Sequence, residues 1–295
     1  MIQDNTYSEI AKEIMIAGLN KSSLEVSKDF ARFINQELFN VPEKPEEYKP
    51  TFEVLIPETA VLVSGGLDSS VLYFRAIQNY QNVRAYYIDI GQPYKDKEME
   101  ALDRLGIDFD YINTGLSFNS KLYWKHIIPG RNFYFLALIA EQMRGGGRIL
   151  FGVLNGEMPK SGGDKSKKFL VSVNKLFKRL PYQVVVETPL ENETKTDLVR
   201  WWKNNLPLEK LDYTISCFEK KEGHCGECQS CLRKALAYIS NGLILKTDVD
   251  VRIGCKEYID KYLKVLGDAL KKKDFSHYSK RRCKQDLRAI SLLLK

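Results

Sequence analysis

An apolar run that ends in a double glycine constrains the fold of this chain more than any other feature of its sequence. The segment VLIPETAVLVS (54–64) is rich in β-branched residues and leads directly into two glycines. VLYFRAIQNY (71–80) has helical spacing, and VRAYYIDI (83–90) has the pattern of a second buried strand. Strand, glycine turn, helix and strand make a βαβ unit, whose strands are parallel. The sequence therefore predicts an α/β fold with helices on both faces of a parallel sheet.

The same alternation of strands and helices continues along the chain. Helical spacing over 132–143 leads to an apolar strand at 148–154. A further strand at 183–190 precedes a helix that ends before Pro207, and the spacing is again mostly helical over 232–295. These elements extend the predicted parallel sheet and follow it with a helical C-terminal part.

The turn after the first strand has the composition of a phosphate-binding loop. Gly65 and Gly66 let backbone N–H groups approach an anion closely, because neither residue has a Cβ. The first turn of the next helix adds unpaired N–H groups and the positive end of the helix dipole. The hydroxyls of Ser64 and Ser69 can donate to phosphate oxygens, and Asp68 can hold a Mg²⁺ that bridges phosphates. The predicted nucleotide-binding residues of this segment are Leu62, Val63, Ser64, Gly65, Gly66, Leu67, Asp68, Ser69 and Ser70.

Four of the six cysteines lie close together and predict a metal site. Their spacing is C-x7-C-x2-C-x2-C, from Cys217 through Cys225 and Cys228 to Cys231. Four thiolates complete a tetrahedral shell with no open position, which predicts a structural zinc rather than a catalytic one. An iron–sulfur cluster also uses four cysteines and is the chemical alternative. His224 adjoins the second cysteine, but the four sulfurs already fill the shell.

Composition limits the partners of the chain. A net charge of +7 suits an enzyme that holds ATP or another anion, and it is compatible with nucleic acid without requiring it. No apolar run of about 18 residues occurs, and the N-terminus lacks the basic and apolar regions of a signal peptide. We therefore expect a cytoplasmic protein without membrane contact. In a reducing compartment, a tight cysteine cluster indicates metal before disulfides.

These patterns divide the chain into three predicted parts. Residues 1–50 combine helical spacing with a proline-rich end, which predicts a helical extension and a linker. Residues 51–210 form the predicted nucleotide-binding α/β domain. Residues 211–295 form the predicted metal-binding knuckle and C-terminal helices.

The glycine turn and three further segments carry a family resemblance. The order Ser-Gly-Gly-Leu-Asp-Ser at 64–69 resembles the SGG-x-DS signature of the PP-loop ATP pyrophosphatase superfamily, and it is not a Walker loop. YIDIGQ (87–92), IIPGRN (127–132) and ETPL (187–190), together with the late cysteine knuckle, resemble the 7-cyano-7-deazaguanine synthase family of queuosine and deazapurine synthesis. The resemblance is collinear from about Ala60 to Lys234.

The resemblance implies an ATP-dependent ligase that forms carbon–nitrogen bonds, with a Rossmann-like fold of the adenine nucleotide alpha hydrolase type. In the family reaction, 7-carboxy-7-deazaguanine is adenylated, ammonia displaces AMP to give an amide, and a second ATP drives dehydration to the nitrile. The implied cofactors are ATP, Mg²⁺ and Zn²⁺. The implied partners are the small carboxylate, ammonia and a second copy of the chain.

The resemblance also implies roles for single residues. Arg131 and Asn132 of the PGRN turn are expected at the nucleotide or the substrate, and Gly130 is expected at the substrate. Lys195 follows ETPL, matches a family lysine and is expected to stabilise the departing pyrophosphate. The implied catalytic residues are thus Asp68, Lys195 and Arg131, and the four clustered cysteines match the zinc ligands.

Departures from the family leave the substrate open. After the strand at 148–154, relatives carry an acidic and aromatic segment that ends Tyr-Pro-Asp-Cys, whereas this chain has GVLNGEMPKSGGDKSKKF (152–169). Glu157 is expected to keep one acidic contact to a guanine-like edge. The family also lacks the helical extension in front and usually ends sooner after the knuckle. The added ends are the predicted contact regions for a protein partner.

Three functions therefore remain open. The first is the deazaguanine nitrile synthase. The second is a related adenylating ligase that joins a deazaguanine-type acid to a protein or nucleic-acid amine. The third is a catalytically idle module that binds nucleotide and zinc. The intact glycine turn argues against this third function. A thiolating enzyme is a weaker fourth, since it needs a cysteine pair and only Cys255 and Cys283 are unassigned.

Overall fold

The computed structural model describes the chain from residue 57 onwards, in six segments. These are residues 57–116, 130–143, 146–157, 163–179, 183–217 and 222–295. The predicted N-terminal helical extension lies outside the described residues. Glu58–Lys295 form one compact unit, and the three-part division stays a prediction.

Five parallel strands form a single sheet in the described part of the chain. The strands are β1 (Glu58–Leu62), β2 (Val83–Asp89), β3 (Asp110–Asn113), β4 (Gly147–Leu150) and β5 (Val184–Glu187). Their order is β3-β2-β1-β4-β5, which follows the order of a doubly wound sheet across the point where the strand order reverses. At the centre, Val61 of β1 pairs in register with Ala85 of β2 and with Leu150 of β4. The predicted Rossmann-like parallel fold is confirmed.

Helices connect the strands and continue after the last one. They are α1 (Leu67–Asn79), α2 (Lys95–Leu105), α3 (Arg131–Gln142), α4 (Lys167–Arg179), α5 (Lys195–Asn205), a 3₁₀ helix (Leu208–Tyr213), α6 (Gln229–Ile239), α7 (Val251–Gly254), α8 (Lys256–Lys272) and α9 (Lys280–Leu293). The predicted helices at 132–143 and before Pro207 are α3 and α5, and the helical C-terminal part is α6 to α9. None of the described helices has both the length and the apolar character needed to cross a bilayer.

The sheet separates two apolar cores. Successive side chains of a strand point to opposite faces, so Ala60 and Ile149 join one core while Val61 and Leu150 join the other. Helices α3 and α4 cover the first core. Helices α1, α2 and α5 cover the second, which continues without a break into α6, α8 and α9. Both faces of the sheet are therefore covered by helices, as predicted. Ligands of such a sheet bind at the carboxyl ends of the strands.

Candidate active site

A cavity of about 410 Å³ lies where β1 and β4 end. These neighbouring strands are the point at which the strand order reverses, and parallel α/β sheets bind their ligands in the crevice at this point. Leu62, Val63 and Ser64 line the cavity from β1, and Phe151 and Gly152 line it from the end of β4. The fold therefore forms a site at the glycine turn.

The glycine turn has a backbone shape that its sequence requires. Gly65 has a φ of +65°, and a Cβ at this position would lie 2.8 Å from the carbonyl oxygen of Glu98 and from the Cβ of Ala101. Gly65 thus lets the turn pack directly onto α2. The hydroxyl of Ser69 holds the turn closed, because it accepts from the backbone N–H of Ser64 at 3.2 Å.

Most of the predicted nucleotide-binding residues line the cavity. Those that do are Leu62, Val63, Ser64, Gly66, Leu67, Asp68, Ser69, Arg131 and Asn132. Gly65 and Ser70 lie behind this surface. Gly65 packs on α2, and the fully buried hydroxyl of Ser70 has no hydrogen-bond partner in the described part of the chain. Gly66 caps α1 without a side-chain hydrogen bond, which leaves the first N–H groups of this helix for a ligand.

Lys195 and Asp68 meet at the cavity wall. Lys195 Nζ donates to both carboxylate oxygens of Asp68, at 2.7 and 2.6 Å. Lys195 is the first residue of α5, and a capping box between Thr194 and Asp197 fixes the start of that helix. The lysine and the aspartate of the predicted catalytic set are therefore brought into contact by two helix N-termini.

A second ion pair in the cavity involves Glu157. Its Oε2 lies 3.0 Å from Nζ of Lys165. Burial alone would raise the pKa of Glu157, but the charges of Lys165, Lys195 and Arg233 outweigh it and lower the pKa to about 2. Glu157 is therefore ionised at neutral pH.

The PGRN turn contributes two of its three predicted site residues to the cavity. Arg131 and Asn132 line it, and Arg131 Nε is buried without a hydrogen-bond partner in the described part of the chain. Asn132 is buried, and its Nδ2 donates to the carbonyl of Asp164 at 3.4 Å. Gly130 is exposed and is not among the described lining residues; its φ of +74° starts α3. Its predicted substrate contact stays a prediction.

The four clustered cysteines converge on one point. Their sulfur atoms all lie within 4.8 Å of one another, and Cys225 Sγ and Cys231 Sγ are 3.9 Å apart. Gly226 permits the tight knuckle, since a Cβ there would collide with the carbonyl of Val249. Four thiolates at this spacing fit a single tetrahedral ion, whose sulfurs stand about 3.8 Å apart at metal–sulfur bonds of about 2.3 Å. The structure therefore brings the four predicted ligands together in a group that could hold a metal ion.

Buried polar contacts join this knuckle to the cavity. Lys234 is fully buried, and its Nζ donates to Thr214 Oγ1 at 2.7 Å and lies 3.1 Å from His224 Nε2. Burial, followed by the charge of Lys234, lowers the pKa of His224 to about 3, so its ring is neutral and can accept. Ile215 follows Thr214 in the chain, and its N–H donates to the carbonyl of Gly65 at 2.8 Å. The knuckle therefore supports the segment that holds the glycine turn.

Comparisons with known proteins agree with this geometry. Residues 111–242 match the family described as Queuosine biosynthesis protein QueC. The 7-cyano-7-deazaguanine synthase of Campylobacter fetus subsp. fetus is 28% identical over 210 residues, which cover 60% of this chain and 91% of that enzyme. The synthase of Methanococcus vannielii is 26% identical (63% and 96% covered), and that of Leptospira interrogans is 24% identical (76% and 99%). The chain is similar to the 7-cyano-7-deazaguanine synthase family.

This similarity confirms the predicted resemblance to the 7-cyano-7-deazaguanine synthase family and the predicted class of enzyme. Among solved structures, the U34-tRNA thiolase NcsA from Methanococcus maripaludis with its 4Fe-4S cluster is 15% identical, covers 73% of this chain and 72% of that chain, and has a TM-score of 0.34. That likeness is too low to bear on the metal or on the site.

Several cavity residues were not predicted from the sequence. Arg233 lines the cavity two residues after the last clustered cysteine, a position whose nearness to the knuckle could have indicated it. Gln92 lines it too and belongs to the YIDIGQ segment, for which no role was predicted. Glu98 stands in the strongly charged stretch KDKEME, where nothing distinguishes it from a solvated residue.

Glu98 is unlike the other carboxylates of the cavity. Its Oε2 accepts from the phenol of Tyr87 at 2.8 Å and from Nε2 of Gln92 at 3.3 Å. Burial raises the pKa of Glu98 to about 7, although both hydrogen bonds and the charge of Arg131 act in the opposite direction. The cavity thus contains one carboxyl group that titrates near neutral pH.

Proposed function

We propose that this protein uses ATP to adenylate the carboxylate of a 7-carboxy-7-deazaguanine-like acid and then converts it, through the amide, to the nitrile. AMP and pyrophosphate leave, and ammonia supplies the nitrogen. The observation that carries the proposal is the contact between Lys195 and Asp68 beside the double-glycine turn, in a chain that is similar to the synthase family. This arrangement brings a phosphate-binding turn, a candidate Mg²⁺ ligand and a cation for the leaving group into one cavity.

The phosphates of ATP are proposed to bind at the glycine turn. The N–H groups at the start of α1 offer hydrogen bonds and a positive dipole end to an anion. Asp68 would hold the Mg²⁺ that accompanies ATP, and Lys195, which contacts Asp68, would pair with the pyrophosphate. Mg²⁺ would supply charge neutralisation when bound. The buried, unpaired Nε of Arg131 is a further donor for the same anion.

The acid is proposed to bind beside the ion pair of Glu157 and Lys165. A carboxylate is a poor electrophile, and adenylation gives it a leaving group. The ionised Glu157 is suited to accept N–H donors from a guanine-like edge, and Arg233 on the opposite helix is suited to the acid's own carboxylate. The segment that contains Glu157 differs from the corresponding segment of the family. A different acid would therefore be accommodated in this part of the site.

Zinc is the proposed occupant of the cysteine knuckle. Sulfur atoms within 4.8 Å of one another suit one shared ion, whereas each cysteine of a 4Fe-4S cluster binds a separate iron. The ion would fix the knuckle, and through Lys234 and Thr214 it would fix the wall next to the glycine turn. A homodimer stays a prediction that the resemblance implies, and a cytoplasmic location stays a prediction from the sequence.

Mass spectrometry of the reaction products tests this function. The protein is incubated with ATP, Mg²⁺, ammonia and 7-carboxy-7-deazaguanine, and the expected products are the amide and then the nitrile, with AMP. Conversion that requires an added protein or nucleic-acid amine, and yields a conjugate instead of the nitrile, would replace this proposal with the adenylating ligase. A protein that consumes no ATP with any of these acceptors would contradict both.

A further inference from the structure

Glu98 lies against the glycine turn. It belongs to the first turn of α2, and its backbone carbonyl is the atom that a Cβ on Gly65 would meet at 2.8 Å. Its side chain lines the same cavity as Asp68 and Arg131. Glu98 is therefore part of the wall that faces the proposed position of the ATP phosphates.

Hydrogen bonds hold one oxygen of Glu98 and leave the other open. Oε2 accepts from Tyr87 and from Gln92. The amide of Gln92 is itself oriented, because its Oε1 accepts from Ile90 N–H at 2.9 Å and its Nε2 also donates to Tyr87 at 2.7 Å. Within the described residues, Oε1 of Glu98 accepts no hydrogen bond. The carboxyl group is thus fixed in orientation with one acceptor available to a ligand.

The three carboxylates that line the described cavity differ in their partners. Asp68 contacts Lys195, and Glu157 contacts Lys165, so each of these two carboxylates is already paired with a lysine. Glu98 instead contacts a phenol and an amide. Geometry alone therefore singles out Glu98 as the carboxylate available for proton transfer.

The ionisable groups around Glu98 are consistent with this role. Tyr87 faces it from β2, Tyr94 from the loop before α2, and Arg131 from α3. Burial raises the pKa of Glu98 to about 7, and burial also raises the pKa values of both tyrosines, which stay neutral. A carboxyl group with this pKa is present in both forms at neutral pH, which is the condition for efficient general acid–base catalysis.

We propose that Glu98 is the base for carbon–nitrogen bond formation, an inference that rests on the proposed function. The nitrogen of ammonia attacks the carbonyl carbon of the acyl adenylate, and the carbon–nitrogen bond forms. The bond from that carbon to the adenylate oxygen breaks, and its electron pair leaves on the phosphate of AMP. Oε1 of Glu98 takes one proton from the nitrogen and later releases it to solvent. The step yields the amide and AMP.

The variant Glu98→Gln separates the two halves of the reaction. It keeps the shape of the side chain but cannot take up the proton. Acid-dependent exchange of pyrophosphate into ATP, which reports adenylation, is expected to stay within about threefold of the parent protein. Single-turnover formation of the amide from ammonia is expected to fall by about 10²- to 10⁴-fold. Glu100→Gln, an exposed position two residues further along α2, is the matched control and should change neither rate.

A pH profile gives a second readout that a purely structural role would not change. In the parent protein, the rate of amide formation should rise with pH through a transition near 7, and Glu98→Gln should lack this transition. Tyr87→Phe removes a hydrogen bond that lowers the pKa of Glu98, so it should move the transition to higher pH.

Three outcomes would be decisive against this role. Amide formation at the parent rate in Glu98→Gln would overturn it. Loss of pyrophosphate exchange with a raised KM for the acid would assign Glu98 to substrate binding instead. If Glu98→Gln does not fold, an unshifted profile in Tyr87→Phe would overturn the role. Failure of the parent protein to exchange pyrophosphate would contradict the proposed function itself. This result is distinguishable from a failure of the role of Glu98 alone, in which the parent protein still exchanges pyrophosphate.

Discussion

Lys195 and Asp68 form an ion pair with Nζ–oxygen distances of 2.6 and 2.7 Å, although 127 positions separate them in the sequence. They stand at the beginnings of α5 and α1, which pack together through an edge-to-face contact of Phe74 with Trp202. The apolar contact between the two helices thus sets the distance between a cation and a carboxylate at the phosphate-binding turn.

Replacement of this lysine tests its role at the departing pyrophosphate. Lys195→Met should lower kcat/KM for ATP by about 10²- to 10³-fold, because it removes one donor that faces developing negative charge. Steady-state release of pyrophosphate provides the measurement. Lys167→Met is the control, since Lys167 is exposed on α4 and pairs with Glu191 outside the cavity lining. A parent-like rate in Lys195→Met would remove the lysine from the mechanism.

The site features that follow from local sequence were predictable. The glycine turn and the cysteine knuckle each bring their functional atoms together within a few residues, so spacing alone indicates their chemistry. The contact of Lys195 with Asp68 is different, because it depends on how α1 and α5 pack on one face of the sheet. Only the family resemblance pointed to that lysine.

Glu98 shows why part of the site was not predictable. It lies in a helix whose sequence is dominated by charged residues, and its burial comes from Tyr87 on β2 and from the glycine turn. No periodicity separates such a residue from its solvated neighbours. The sequence also assigned Gly65 and Ser70 to the nucleotide, whereas both lie behind the lining surface. A run of adjacent residues in a turn cannot all face one ligand, since the turn must also pack on its supports.

The close packing of Gly65 predicts the effect of adding one methyl group. Gly65→Ala should lower the free energy of unfolding by about 1–3 kcal/mol, because alanine disfavours positive φ and its Cβ would collide with the backbone of α2. The KM for ATP should rise as the turn shifts. Urea unfolding and initial rates measure the two effects.

Gly267→Ala supplies the contrast for that experiment. Gly267 lies inside α8, and a Cβ there would contact nothing within 4 Å. The substitution should therefore raise the free energy of unfolding by up to about 1 kcal/mol, because alanine favours a helix over glycine. Equal effects of the two substitutions would contradict the packing described for Gly65.

Metal content tests the knuckle directly. The parent protein should carry one metal ion per chain by elemental analysis, and the proposed metal is zinc. Cys225→Ser should lose the ion and unfold more readily, because metal binding contributes to folding. Cys283→Ser, at a buried cysteine outside the cluster, should keep the ion. Retention of the metal in Cys225→Ser, or iron in place of zinc, would contradict this assignment.

The ion pair of Glu157 with Lys165 predicts a pH-dependent stability. The pKa of Glu157 is lowered in the fold from 4.5 to about 2, so the folded state favours the anion more than the unfolded state does. Its contribution is therefore fully present above about pH 4.5 and is lost as the pH falls towards 2. Glu157→Gln should be less stable than the parent by about 1–3 kcal/mol at pH 7.

Urea unfolding of both proteins at pH 7, 5, 4 and 3 measures this difference. It should be constant between pH 7 and 5 and should shrink below about pH 4.5. A difference that stays constant down to pH 3 would show that Glu157 is not held as an anion by its lysine partner. Glu191→Gln, whose carboxylate pairs with the exposed Lys167, is expected to show a much smaller difference throughout.

The identity of the spent nucleotide distinguishes adenylation from other uses of ATP. The parent protein and Asp68→Asn are incubated with ATP, Mg²⁺, ammonia and 7-carboxy-7-deazaguanine, and the nucleotide products are separated and quantified. The expected products are AMP and pyrophosphate that depend on the acid, with turnover lowered at least about 10²-fold in Asp68→Asn. ADP and inorganic phosphate as the products, or an Asp68→Asn protein as fast as the parent, would contradict the proposed adenylation.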